Sequence, residues 1–172
     1  MKIFVASDIH GDSKACEDII AKFNEERADQ LLLLGDILYH GPRNDFPGSY
    51  KPKEVIRLLN AMKDKIVGLR GNCDAEVDQM VLEFPIMAEY TYIISGDVIV
   101  YATHGHHANP YERPALPDNA VFISGHTHVA MDKVIDGMRC MNPGSPSLPK
   151  EDSKPSYIII EDGRLELKSL YE

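Results

Sequence analysis

Five apolar runs in this chain end beside side chains that bind metal ions. Each run has the length of a β-strand, and together they cover residues 2–6, 31–34, 66–69, 98–102 and 121–124. The segments that follow them read SDIHG, GD, GNCD, THGH and GHTH, in the same order. Because the carboxyl ends of parallel strands meet at one edge of a sheet, these segments are expected to converge there. The pattern predicts a sheet-based fold with a metal site at its edge.

Helical segments separate the first of these runs. Apolar residues at positions 15–23 recur at helical spacing behind the candidate caps Asp12 and Ser13, and a second helix is expected from Pro52 onward. Later in the chain two Asp-Gly pairs mark tight hairpin turns between strand patterns. Further strands are predicted at residues 90–94, 129–135, 139–141, 157–160 and 165–170. This order predicts an α/β fold in one domain, residues 1–172, with two sheets packed face to face and helices outside.

The charge and the cysteine content argue against several classes of protein. A formal net charge of −9 repels nucleic-acid backbones and anionic membranes, so neither a stable nucleic-acid complex nor a peripheral membrane protein is expected. Cys16, Cys73 and Cys140 are odd in number and far apart, which argues against a disulfide framework and a zinc finger. The first apolar run is too short for a signal peptide, and no run has membrane-spanning length. We therefore expect a cytoplasmic protein with reduced thiols.

The spacing of the acidic and histidine residues favours two neighbouring ions. Residues two apart in an extended segment point to the same side and lie about 6–7 Å apart. Asp8 and His10 have this spacing, as do His126 and His128, so each member of a pair can serve a different ion. Asp36 has two carboxylate oxygens for bridging such ions, which lie about 3.5–4 Å apart in two-metal hydrolytic sites. Each motif alone is ambiguous, and only their conjunction at five strand ends carries the prediction.

The series of motifs resembles the calcineurin-like metallophosphoesterase superfamily, and within it the small bacterial and archaeal phosphodiesterases of the YfcE type. The motifs run from Asp8 to His128, and the run Asn142-Pro143-Gly144-Ser145 matches a further family segment. The resemblance implies an αββα sandwich of two mixed β-sheets flanked by helices, with a binuclear metal centre. It implies that one ion is bound by Asp8, His10, Asp36 and His128, and the other by Asp36, Asn72, His104 and His126.

The resemblance also implies a reaction. A hydroxide activated by two divalent ions attacks the phosphorus of a phosphodiester, in line with the leaving alkoxide. Carboxylate, carboxamide and imidazole ligands suit Mn²⁺, Fe²⁺, Ni²⁺ or Zn²⁺, and the family favours Mn²⁺. The expected substrate is a small-molecule phosphodiester, and a homodimer or homotetramer is compatible with the resemblance.

One residue departs from the family pattern. Many superfamily phosphatases have histidine after the motif asparagine, where this chain has Cys73. A thiol is mostly neutral at pH 7 and cannot supply the charge of an imidazolium, so weak activity on monoesters is expected. Cys73, Asp74 and His106 are candidates for a role in the reaction. The simpler interpretation of Cys73 is a small buried residue without a role, and Asp74 fits an orienting role better than a ligand role.

Four residues are candidates for contacts with substrate: Asn72, Arg43, Asn44 and His106. The guanidinium of Arg43 fits phosphate, although a solvated loop charge explains it equally well. Two other functions stay open. One is a phosphomonoesterase of the same superfamily, which Cys73 and the lack of Asp-Arg-Gly after the second run disfavour. The other is a non-catalytic, protein-binding scaffold of the retromer-subunit type, which the complete ligand set disfavours.

Overall fold

The computed structural model describes residues 1–171, which form two five-stranded β-sheets and three α-helices. The helices are α1 (Ser13–Glu25), α2 (Pro52–Asn60) and α3 (Glu76–Gln79), and Lys63–Lys65 form a 3₁₀ turn. The strands are β1 (Lys2–Ala6), β2 (Gln30–Leu33), β3 (Ile66–Gly68), β4 (Tyr90–Ser95), β5 (Val98–Thr103), β6 (Ala120–Ile123), β7 (Ala130–Ile135), β8 (Met138–Pro143), β9 (Ser156–Glu161) and β10 (Arg164–Ser169).

Both sheets are mixed. The first has the strand order β10-β9-β1-β2-β3, in which β1, β2 and β3 are parallel and β9 and β10 are antiparallel to their neighbours. The second has the order β4-β5-β6-β8-β7, in which β5, β6 and β8 are parallel and the two edge strands are antiparallel to their neighbours. The five predicted motifs therefore follow the carboxyl ends of parallel strands.

The side chains of each sheet fill two apolar layers. Along β1 they alternate, so that Val5 packs between the two sheets while Phe4 packs under α1 and α2. The outer face of the second sheet is covered differently. There Leu116, from the loop between β5 and β6, packs against a buried cluster around Phe122. The predicted sandwich of two mixed sheets is confirmed, with both longer helices on the first sheet.

The ends of the elements follow the predicted cap and turn residues. The Asp12 side chain caps α1 by accepting a hydrogen bond of 2.9 Å from the N–H of Ala15, and Pro52 is the first residue of α2. Asp136 and Asp162 have φ values of 46° and 47°, which fit the predicted hairpin turns. The short α3 and the 3₁₀ turn escaped prediction because neither contains a full apolar repeat. In the part of the chain that the structure describes, no helix has the length and apolar character needed to cross a bilayer.

Candidate metal centre

The five loops that follow β1, β2, β3, β5 and β6 meet at one edge of the sandwich. They bring the predicted ligands into two adjacent groups, whose ligand atoms lie within 4.8 Å of one another in each group. The first group consists of Asp8, His10 and His128, and the second of Asp36, His104 and His126. Asn72 joins the second group, since its Oδ1 lies 3.0 Å from Nε2 of His104.

In the first group three acceptor atoms point at one another. Nδ1 of His10 donates to the carbonyl of Tyr39 at 2.7 Å, and Nδ1 of His128 donates to the carbonyl of Leu148 at 2.8 Å. Each Nδ1 therefore carries the proton of the neutral ring, and each Nε2 presents a lone pair. The two Nε2 atoms lie 3.1 Å apart and 3.6 and 3.4 Å from Oδ1 of Asp8, which is buried without a hydrogen-bond partner among the described residues. A cation between these atoms satisfies all three.

The second group repeats this arrangement. Nδ1 of His104 donates to the carbonyl of Leu34 at 2.9 Å, which leaves its Nε2 as an acceptor. That nitrogen faces Oδ1 of Asn72 and, at 3.5 Å, Oδ2 of Asp36. The Asn72 amide is turned this way because its Nδ2 donates to Sγ of Cys73 at 3.3 Å. Oxygen and nitrogen acceptors again converge, and the chemistry suits a divalent cation.

Asp36 lies between the two groups. Its Oδ2 is 3.6 Å from Nε2 of His10 and 3.5 Å from Nε2 of His104, while its Oδ1 accepts from the N–H of Cys73 at 2.8 Å. Ligand atoms that share an ion at about 2.1 Å lie about 3.0–3.5 Å apart. The observed separations are close to this range, so the donor set fits two ions with one Asp36 oxygen shared between them.

The pKa values describe a centre that attracts positive charge. Burial opposes the ionisation of Asp8, but the adjacent His10 and His128 outweigh it and hold the pKa of this carboxyl well below its usual range. Burial also opposes the charged form of His104, yet the carboxylates of Asp36 and Asp8 raise its pKa to about 9. Protons and divalent ions therefore compete for the same nitrogen atoms.

Hydrogen bonds from outside the two groups hold Asp8 in place. Its Oδ2 accepts from Oγ of Ser7 at 2.6 Å and from the N–H of His126 at 2.9 Å, which leaves Oδ1 to face the centre. The Asp8 carbonyl accepts from Oγ of Ser145 at 2.7 Å. Sequence reasoning did not assign Ser7 or Ser145 a role. For Ser145 the only signal was the Asn142-to-Ser145 family segment, in which Asn142 binds the carbonyl of Gly125 at 2.8 Å through Nδ2.

The backbone around the centre is tightly built. Among the predicted ligands, φ lies between 51° and 66° at Asp8, His10, Asp36, His126 and His128. This left-handed region costs a residue with a Cβ about 1–2 kcal/mol. Two glycines allow close approach of the loops. A Cβ added at Gly125 would lie 2.0 Å from Oγ of Ser7, and one added at Gly71 would lie 2.1 Å from Oδ1 of Asp36.

Asp74 lies behind the centre and does not reach it. It is buried, and its carboxylate accepts from the N–H groups of Asp36 at 2.7 Å, Ile37 at 3.0 Å and Gly71 at 2.7 Å. These contacts join the loops after β2 and β3 and suit a positioning residue; a role in the reaction itself stays a prediction. Cys73 is half-buried, and burial together with the Asp36 charge raises the pKa of its thiol to about 12, so it is neutral.

The predicted substrate contacts lie around the opening of the centre. The ring of His106 lies 5.2 Å from that of His104, and burial together with the charge of His104 lowers the pKa of His106 to about 4. Arg43 and Asn44 line the cleft above the two groups, and Nδ2 of Asn44 donates to the carbonyl of His40 at 2.8 Å. The cleft has one further cationic side chain, Lys150, which sequence reasoning missed.

Comparisons with known proteins agree with this geometry. The calcineurin-like phosphoesterase superfamily domain matches residues 1–163. The phosphodiesterase YfcE of Escherichia coli K12 is 41% identical over 170 residues, covering 99% of this chain and 92% of YfcE. The solved structure of E. coli YfcE superposes with a TM-score of 0.95 at 40% identity, covering 99% of this chain and 94% of that one.

More distant structures share the fold alone. Vps29 of Entamoeba histolytica complexed with Zn²⁺ superposes with a TM-score of 0.58 at 21% identity, covering 97% of this chain and 90% of that one. The family match spans nearly the whole chain, and the motifs on which the resemblance was based lie within it. The chain therefore belongs to the calcineurin-like phosphoesterase superfamily.

Proposed function

We propose that this chain is a metal-dependent phosphodiesterase. The observation that carries the proposal is the position of Oδ2 of Asp36, which lies about equally far from Nε2 of His10 and Nε2 of His104. Such an oxygen fits a bridge between two ions, and a pair of divalent ions is the arrangement that in-line displacement at phosphorus uses. The 41% identity to a phosphodiesterase over nearly the full chain supports the same activity.

The two ions would be held by the residues predicted from the sequence. Asp8, His10, Asp36 and His128 would bind one, and Asp36, Asn72, His104 and His126 the other. When bound, the ions supply positive charge to phosphate oxygens and lower the pKa of water. We propose Mn²⁺ as the resident metal, with Fe²⁺, Ni²⁺ or Zn²⁺ as alternatives, since the donor set contains oxygen and imidazole but no thiolate.

The residues around the opening have different tasks. Arg43, Asn44 and His106 would contact the substrate, and His106 would do so as a neutral ring because its pKa is lowered to about 4. Cys73 would keep the amide of Asn72 turned toward the centre through its contact with Nδ2. A neutral thiol gives no charged acid at this position, which favours diesters over monoesters with poor leaving groups. We further propose a cytoplasmic enzyme that acts on a small molecule, as a homodimer or homotetramer.

Two alternatives have definite counterparts in the structure. A phosphomonoesterase would need a group that stabilises a second negative charge or protonates the leaving group where Cys73 stands. A protein-binding scaffold would not need seven predicted ligands that converge with their acceptor atoms unpaired. We place the phosphodiesterase first for these reasons.

The test compares hydrolysis of bis-p-nitrophenyl phosphate and p-nitrophenyl phosphate by metal-stripped protein, with and without Mn²⁺. We expect turnover that requires Mn²⁺ and favours the diester. Asn72→Ala and His126→Ala should lose this turnover, while Asn24→Ala, on the exposed face of α1, should keep it. Turnover of neither ester with any of the four metals would contradict the proposal. A preference for the monoester would support the phosphomonoesterase instead.

A further inference from the structure

We propose that Lys150, together with Arg43, binds a second phosphate group of the substrate. The inference rests on the proposed phosphodiesterase activity and narrows its substrate class. The substrate would be a phosphodiester that carries a further terminal phosphate, with the diester at the metal centre and the terminal phosphate at the two cations.

Both cations face the cleft in which the reaction would take place. Lys150 and Arg43 line it together with His10, Asp36 and His128, so a ligand at the centre meets both side chains. They come from different parts of the chain, Arg43 from the loop before α2 and Lys150 from the loop after β8. The cleft is therefore bordered by positive charge in a protein whose formal net charge is −9.

The backbone of Lys150 is fixed to a predicted metal ligand. Its N–H donates to the carbonyl of His128 at 3.2 Å, and its carbonyl accepts from the N–H of Ser153 at 2.9 Å. Two residues earlier, the carbonyl of Leu148 accepts from Nδ1 of His128 at 2.8 Å. Three hydrogen bonds thus hold this loop, two of them to His128, and they keep the start of the Lys150 side chain at a set place beside the centre.

Arg43 is held in a similar way from the other loop. The carbonyl of Tyr39 accepts from Nδ1 of His10, and Nδ2 of Asn44 donates to the carbonyl of His40. The loop around Arg43 is therefore tied both to the centre and to itself. A guanidinium held at such a point matches the oxygen spacing of a phosphate.

Neither cation has an internal use. Within residues 1–171, no hydrogen bond or ion pair involves the Lys150 ammonium or the Arg43 guanidinium, although acidic residues flank both in the sequence. A simple phosphodiester brings one negative charge, and the ions of the centre already attract it. Two further cations exceed what the reacting group needs, and a terminal phosphate accounts for them.

The first test uses two chromogenic diesters that differ in one group. They are the p-nitrophenyl ester of thymidine 5′-phosphate and the same compound with a 3′-phosphate. Because charge-assisted hydrogen bonds contribute about 1.5–3 kcal/mol each, we expect kcat/KM to be about tenfold higher or more for the compound with the 3′-phosphate. Lys150→Met should reduce this ratio to near one, and so should Arg43→Met to a similar degree. Lys154→Met, an exposed lysine of the same loop, should keep the wild-type ratio.

The second test measures binding rather than turnover. Isothermal titration of the Mn²⁺-loaded protein with thymidine 3′,5′-bisphosphate and with thymidine 5′-phosphate should give a Kd about tenfold lower for the bisphosphate. The difference should disappear in Lys150→Met and decrease with added salt. Equal Kd values for the wild type, or an unchanged difference in Lys150→Met, would overturn the inference.

The two proposals fail in different ways. If no ester were hydrolysed with any metal, the phosphodiesterase would be refuted, and the titration would still decide whether Lys150 binds a second phosphate. If both diesters were hydrolysed at equal kcat/KM, the activity would stand and the second-phosphate site would be refuted.

Discussion

Removing the Asp74 carboxylate tests whether this residue positions the metal centre. In Asp74→Ala three buried N–H groups, those of Asp36, Ile37 and Gly71, lose their acceptor. Each unsatisfied group costs about 1–3 kcal/mol, so we expect the free energy of unfolding to fall by about 3–6 kcal/mol, a large part of the 5–15 kcal/mol of a typical domain. This variant is therefore expected to be marginally folded.

Asp74→Asn gives a finer measurement. Its amide oxygen can replace Oδ2 of Asp74, which accepts from Asp36 and Gly71, while its NH₂ group opposes the N–H of Ile37. One buried donor is then unpaired, at a cost of about 1–3 kcal/mol. Burial raises the pKa of Asp74, so the uncharged side chain avoids part of the cost of desolvation and keeps the loss small. The Asp36 backbone should also shift, and Mn²⁺ affinity should fall by about 10–100-fold.

The assay is urea unfolding of metal-free protein, followed by titration of each folded variant with Mn²⁺. Asp118→Asn, at an exposed aspartate, serves as the control and should match the wild type in both. The reasoning is refuted if Asp74→Asn also matches the wild type in stability and Mn²⁺ affinity, or if Asp74→Ala is no less stable than Asp74→Asn.

Three further predictions concern the same centre. Gly125→Ala should lose about 1–3 kcal/mol of stability and bind Mn²⁺ more weakly, because its Cβ would displace Ser7, whereas Gly48→Ala, with open space around it, should be nearly neutral in the same unfolding and titration assays. The folded pKa of His104, about 9, exceeds its unfolded value of 6.5, so its contribution to stability is complete below pH 6.5 and is lost as pH rises through 9. Urea unfolding of metal-free protein should therefore show a loss of up to about 3 kcal/mol over this range, and His104→Gln should flatten the profile. Mn²⁺ at about 100 times its Kd should add about 2.7 kcal/mol and raise Tm by about 5–10 °C in differential scanning fluorimetry, and Asp36→Asn should abolish the shift.

Much of the centre was predictable because it follows from strand direction. The loops after parallel strands must meet at one edge, so Asp8, Asp36 and His104 converge although they are far apart in the sequence. The role of Asp36 as a candidate bridge followed from its two oxygens, and the structure places one of them between the two groups. The capping residue Asp12 and the two Asp-Gly turns were predictable because local backbone chemistry determines them.

Other features depend on contacts that no local pattern encodes. Ser7 and Ser145 were not predicted to support Asp8, since serine is common in turns and only the folded chain shows what it contacts. Lys150 looked like one more charge in a polar loop until the loop was seen to be tied to His128. The packing of Leu116 over the second sheet, where a helix was expected, likewise depends on tertiary structure.

The left-handed backbone at five of the predicted ligands has a consequence for protein engineering. A designer who copied only the aspartate and histidine side chains onto an ordinary strand or helix would place them on a backbone with negative φ, and the acceptor atoms would diverge. The strained loops, with Gly71 and Gly125 beside them, would have to be grafted together with the ligands. The transferable unit is therefore a set of short loops, and a host scaffold would need enough surplus stability to tolerate about 1 kcal/mol or more of strain at each ligand position.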